Sequence, residues 1–172
     1  MTANEIRTDS PIEEDFVAAM MAVGSGRVIF VPQAKLEQLK VKAAEDEMGT
    51  KVYMSSQVAI GMYRADFVLV THFSAVSSKV LCVECDGEAF HRATTEQRLS
   101  DKARDNYMLA RGVDTLRFSG ARLKRDAFMC AREALARIGV ASNETTTLGD
   151  SLGNLLKALP WRYSRAARES AE

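Results

Sequence analysis

The stretch Val83-Glu84-Cys85-Asp86-Gly87, followed by His91, places two carboxylates two positions apart at the end of an apolar run that starts at Val80. In a strand, side chains two apart share a face, so Glu84 and Asp86 point one way while Val83 and Cys85 point the other. Burying like charges side by side is costly unless a cation or hydrogen-bond donors compensate. A third acid, Asp66, interrupts an aromatic and β-branched run over residues 62–70. Hairpin pairing of the two runs would bring Asp66 near Glu84 and Asp86, whereas a one-residue slip would turn it to the other face. Carboxylate oxygens suit magnesium or manganese, ions that keep waters able to attack a phosphate. On spacing alone, an ion-pair cluster with the nearby arginines explains the acids equally well.

The elements that must hold these residues are marked along the chain. Ser10-Pro11-Ile12-Glu13 opens a helix as N-cap, first-turn proline and capping-box glutamate. Ile12, Phe16 and Met20 continue its apolar stripe, and Gly24-Ser25-Gly26 ends it. Residues 27–31 form a short strand or an extended link before Pro32, 33–47 an amphipathic helix, and 51–60 a strand. Residues 62–70 and 80–85 are the acid-bearing strands, with a serine-rich loop over 72–79 between them. Thr95 caps the next helix. Leu99, Ala103, Tyr107 and Ala110 form its apolar side, with Asp101, Arg104 and Asp105 on a flank. A strand over 113–118 and a long helix over 121–138 complete the set.

One compact domain, residues 1–140, is therefore expected, followed over 141–172 by a linker, a short leucine-rich helix and a basic tail. The 172 residues are 47% hydrophobic with zero formal net charge, which leaves room for a proper core and gives no global argument for an acidic or nucleic-acid partner. No run reaches membrane-spanning length, and the acidic N-terminus is unlike a signal peptide. Three cysteines make no disulfide framework, and Cys82 and Cys85, three apart in a strand, face opposite sides. A soluble, cytoplasmic protein without a membrane partner is expected. The leucine-rich terminal helix offers a docking face for a second copy or a larger complex.

Taken together, Tyr63-Arg64-Ala65-Asp66-Phe67, then Val83-Glu84-Cys85-Asp86-Gly87 with Phe90-His91, then Asp101-Lys102-Ala103-Arg104-Asp105 and Leu116-Arg117-Phe118 resemble the restriction-endonuclease-like PD-(D/E)xK nucleases. The nearest branch is the small domains related to very-short-patch-repair endonucleases, and the likeness spans residues 10–138. It implies an α/β fold with a restriction-endonuclease-like core, a mixed central β-sheet flanked by α-helices. It further implies a magnesium- or manganese-dependent endonuclease that hydrolyses phosphodiester bonds of DNA in repair, restriction or defence. Asp66 and Glu84 match the metal-binding acids. Asp86 departs from the superfamily, which has a lysine there, although a carboxylate is usual in this branch, and it joins the metal set. His91 is the following histidine, suited to proton transfer or phosphate stabilisation.

The resemblance also draws in Glu13, the first-helix acid, as well as Gln57 ahead of the acidic strand. Arg64, Asp101, Arg104 and Arg117 are candidates for nucleic-acid contact or support. Each has a structural alternative. Glu13 suits its capping box, Asp86 a turn before Gly87, His91 a packing role, and Asp66 or Glu84 an ion pair with Arg64 or Arg104. A catalytically inactive nucleic-acid-binding or protein-interaction module on the same fold is the competing function, motivated by the missing lysine.

Overall fold

A computed structural model describes residues 6–41, 51–74, 77–86 and 94–140. The expected leucine-rich helix and basic tail, and His91, lie outside these residues. Along the chain run α1 (Pro11–Gly24), β1 (Val28–Phe30), α2 (Gln33–Val41), β2 (Val52–Ile60), β3 (Tyr63–Ser74), β4 (Ser77–Asp86), α3 (Thr95–Leu109), β5 (Val113–Ser119) and α4 (Gly120–Arg137). The strands form one mixed sheet in the order β1-β2-β3-β4-β5. β2, β3 and β4 make an antiparallel meander, while β1 joins β2, and β5 joins β4, in parallel. The parallel pairs are spanned by α2 and α3, as crossover connections require.

Helices cover both faces of the sheet. On one, α1 and α4 pack Phe16, Val17, Met20, Cys130, Ala134 and Leu135 against Met54, Phe67, Leu81, Val83 and Phe118. Phe16 lies at the centre, its ring 5.4 Å from that of Phe67 and 5.8 Å from that of Phe118. On the other, α2 and α3 contribute Leu36 and Met108 over Val58, Val68, Val70 and Cys82. No helix among the described residues is long and apolar enough to cross a membrane.

α1 starts as its sequence predicts. Ser10 is extended, its hydroxyl accepts the Glu13 N–H, and Pro11 occupies the first turn. The glutamate of the box reaches one residue further back than usual, to the Asp9 N–H at 2.9 Å. Ser10→Ala is expected to cost about 1 kcal/mol, read as a lower urea midpoint with an unchanged slope.

Three expectations need correction. The loop assigned to 72–79 is strand: β3 runs to Ser74 and β4 begins at Ser77. Serine-rich polarity misled here because Thr71 and His72 are buried, and the Thr71 hydroxyl donates to the Lys51 carbonyl at 2.9 Å. The apolar side assigned to α3 holds at Tyr107, which packs against the Tyr63 ring, but fails at Leu99, Ala103 and Ala110, which are exposed. Asp101, Arg104, Asp105 and Met108 turn toward the sheet, because β4 and β5 present charged groups there that only a polar helix face can satisfy. Finally, the long helix over 121–138 is α4, but Asp126 leaves helical geometry and its carboxylate accepts the Met129 N–H at 3.0 Å, re-capping the second half.

Candidate active site

The acids stand where the sheet divides. The ladder between β3 and β4 ends at the Phe67–Val83 pair, although its register sets Asp66 opposite Glu84. Past that point β3 stays with β2 to the Tyr63–Ile60 pair, and β4 stays with β5 to the Asp86–Ser119 pair. Two ribbons thus leave one sheet as a fork. Inside it, the Asp66 carboxylate accepts the Cys85 N–H at 2.7 Å, replacing the missing ladder bond.

Gln57 makes the division possible. Its φ of +52° lies in the left-handed region, which a glutamine rarely adopts. The register places it directly opposite Asp66. Facing reverses in both strands at this pair: Val52 and Met54 pack with α1 and α4, whereas Val58 and Ile60 pack with α2 and α3. Likewise Phe67 and Leu69 lie on the α1 side, but Ala65 lies on the α3 side. Asp66 is consequently at a crossover, within electrostatic range of both Glu13 from α1 and Asp86 from β4.

Glu13 is buried, and its two roles coexist. Its carboxylate accepts the Asp9 N–H, the Ser10 hydroxyl at 2.8 Å and the Gln57 side-chain amide at 2.9 Å. One acid therefore both caps α1 and anchors Gln57. The carbonyl end of the Gln57 side chain is buried without a donor among the described residues.

Glu84 is 4% exposed and shares its face with Cys82 and Asp86. The Cys82 thiol donates to Glu84 Oε1 at 3.2 Å, and the Arg104 guanidinium pairs with the same oxygen. Arg104 also donates to the Arg64 carbonyl and lies 5.8 Å from the Tyr63 ring centre, so it ties the two ribbons together. Burial outweighs that cation and pushes the Glu84 carboxyl up to about 7. Burial also raises Glu13, Asp66 and Asp86, with hydrogen bonds or arginine charges opposing it in each case. The Cys82 thiol is raised as well, chiefly by burial, and remains a donor.

The remaining predicted residues support the site. Asp86 is half-buried beside the charges of Arg117, Asp101, Arg104 and Asp105. Arg117 lies next to Glu84 in register but sends its side chain to Asp105, 2.8 Å away, bracing α3 over β5. Arg64 turns outward to Asp9 at 3.0 Å and contributes its backbone oxygen to the fork. Asp101 enters only through its charge on Asp86. Cys82 was missed as a site residue, although its place two before Glu84 on the same strand face was legible. Nothing in the sequence pointed to Tyr63 as a platform for Arg104.

Donor chemistry at the fork suits a hard cation: carboxylates, plus the buried Gln57 carbonyl oxygen that lacks a donor. Among the described residues no three His, Cys, Asp or Glu side chains stand together as a ready ligand set. Glu84 Oε1 is instead engaged by Arg104 and Cys82.

No protein family, curated protein or solved structure matches this chain.

Proposed function

We propose that this chain is a divalent-metal-dependent endonuclease that hydrolyses DNA phosphodiester bonds on a restriction-endonuclease-like core. The observation that carries the reading is the fork: two ribbons part, and the acids Asp66, Glu84 and Asp86 lie on them where they part, within electrostatic range of one another through Asp66 and with their carboxyls raised by burial. Support for the core comes from the mixed sheet with helices on both faces and from the order of the acidic motifs along it. Asp66, Glu84 and Asp86 are the residues that would hold magnesium or manganese. Such an ion supplies charge to a phosphate and a nucleophilic water near neutral pH.

The chain's own groups set the stage for that chemistry. Cys82 and the Cys85 N–H fix the orientations of Glu84 and Asp66 from below. Gln57 and Glu13 hold the opposite wall. Arg104 is the one described cation paired with an acid of the fork, and it can offer a phosphate two parallel N–H donors once it leaves Glu84. That same contact favours the second reading, a nucleic-acid-binding module without catalysis, because Arg104 already neutralises Glu84 where the superfamily lysine is absent.

Incubating the protein with plasmid and linear DNA in magnesium or manganese separates the two. Nicking that EDTA abolishes, and that Asp66→Asn lowers by at least about a hundredfold, is the expected result. Salt-dependent binding with no cutting under any metal points to the binding module.

A further inference from the structure

Glycine would make the reversal in β2 without strain, yet the chain keeps a glutamine there, with φ at +52°. The other non-glycine residue of positive φ among those described is Ser25, which ends α1 as helices commonly end. Gln57 has no such excuse inside a strand. Nor is it a bulge, because Ser56 pairs with Phe67 and Val58 with Ala65, leaving one residue between them on each strand. A strained backbone at this position points to a use for the side chain.

One end of that side chain is accounted for. Glu13 Oε2 accepts the Asp9 N–H and the Gln57 Nε2 donor, each at 2.9 Å. With its nitrogen end committed to Glu13, the amide turns its oxygen elsewhere. That oxygen is buried and has no hydrogen-bond partner among the described residues. An open buried acceptor is costly, and only a donor or a cation can relieve it.

The surrounding charge decides between the two. Asp66, set opposite Gln57 by the register, lies in electrostatic range of Glu13, Glu84 and Asp86. The nearby arginines are engaged: Arg104 pairs with Glu84, and Arg64 turns to Asp9. Four acids in this corner of the fold favour a cation, and oxygen donors favour a hard one. A carbonyl adds a ligand without adding a fifth like charge.

We propose that the Gln57 side-chain oxygen is a neutral ligand of the divalent cation at the fork, with Glu13 as the positioning residue that orients its amide. Glu13 is then no ligand itself, since Asp9, Ser10 and Gln57 already place three donors on its two oxygens. The inference rests on the metal-holding part of the nuclease reading above and not on cleavage.

Manganese affinity is measured on the full chain without DNA, from the electron paramagnetic resonance signal of the free ion, for the wild type, Gln57→Gly and Gln57→Asn. Glycine removes the side chain and relieves the backbone. Asparagine tolerates the left-handed region and keeps the amide, but is one methylene short. Both variants are expected to bind manganese about tenfold more weakly. Their melting temperatures in EDTA should stay close to the wild type's, in Gln57→Gly because the strain lost compensates for the lost bond to Glu13. Manganese should raise them less than it raises the wild type's. Wild-type manganese affinity in both variants overturns the proposal, and a lower EDTA melting temperature for Gln57→Gly alongside it gives the oxygen to a buried water instead. A wild-type protein that binds no manganese overturns the proposal and the metal-dependent reading together. Gln57-dependent manganese binding without DNA cutting upholds the proposal and removes only the nuclease reading.

Discussion

Replacing Glu84 by glutamine is expected to make the metal-free protein more stable above pH 7 and, on the nuclease reading proposed above, to lower metal-dependent cutting by about a hundred- to a thousandfold. The carboxyl stands at about 7 in the folded protein against 4.5 unperturbed, because burial disfavours its charge more than Arg104 favours it. A raised acid binds its proton more tightly in the folded state, so folding loses stability as pH rises from about 4.5 to about 7 and regains none above. Below that window both states are protonated and the penalty is absent. The shift corresponds to at most about 3 kcal/mol. Glutamine resembles the protonated acid, keeps an oxygen for Arg104, and removes the penalty. Melting curves in EDTA from pH 4 to 9 check it: the variant's midpoint should fall less with pH than the wild type's, with residual slope from Glu13, Asp66 and Asp86. Parallel curves for the two proteins count against the idea.

Phe16→Ala has the largest expected effect on the fold itself, about 3–5 kcal/mol. Its ring is fully buried between Phe67 of β3 and Phe118 of β5, joining the two ribbons on the face opposite α3. α1 also carries Glu13, so loosening this contact should, on the nuclease reading, reduce cutting before global unfolding. Urea titration reads the stability. Met62→Ala, at an 80% exposed position, is the control and should stay within about 0.5 kcal/mol of wild type. A Phe16→Ala midpoint close to that of Met62→Ala would falsify the central place given to this ring.

Much of the architecture could be read before any coordinates. Ser10, Pro11 and Glu13 start α1 by local chemistry alone, and the order of helices and strands followed from apolar spacing. The sharing of a face by Glu84 and Asp86 is a property of any strand. Other features depended on long-range contacts that spacing does not encode. Leu99 and Ala103 imitate an apolar helix face, but the sheet beneath α3 carries Glu84, Asp86 and Arg117, so Arg104 and Asp105 turn inward instead. A buried His72 at the start of a serine-rich stretch read as loop because the polarity of a segment does not reveal what covers it. The reversal at Gln57 was invisible for a similar reason: a left-handed glutamine has no signature of its own, and its cost is offset by its bond to Glu13 from forty-four residues away. Asp66 was legible as an anomaly, and its hydrogen bond to the Cys85 amide was not.

The end of the ladder at Phe67 and Val83 has a mechanical meaning as well. In an ordinary sheet, spreading two neighbouring strands tears a row of backbone bonds one after another. Here, among the described residues, the hydrogen bonds that bridge the prongs are the Asp66–Cys85 bond and the two held by Arg104, all made by side chains. Apolar packing takes over where the ladder stops: Phe16, seated between Phe67 and Phe118, bridges the ribbons on the opposite face, so parting them would expose an aromatic core as well as break those bonds.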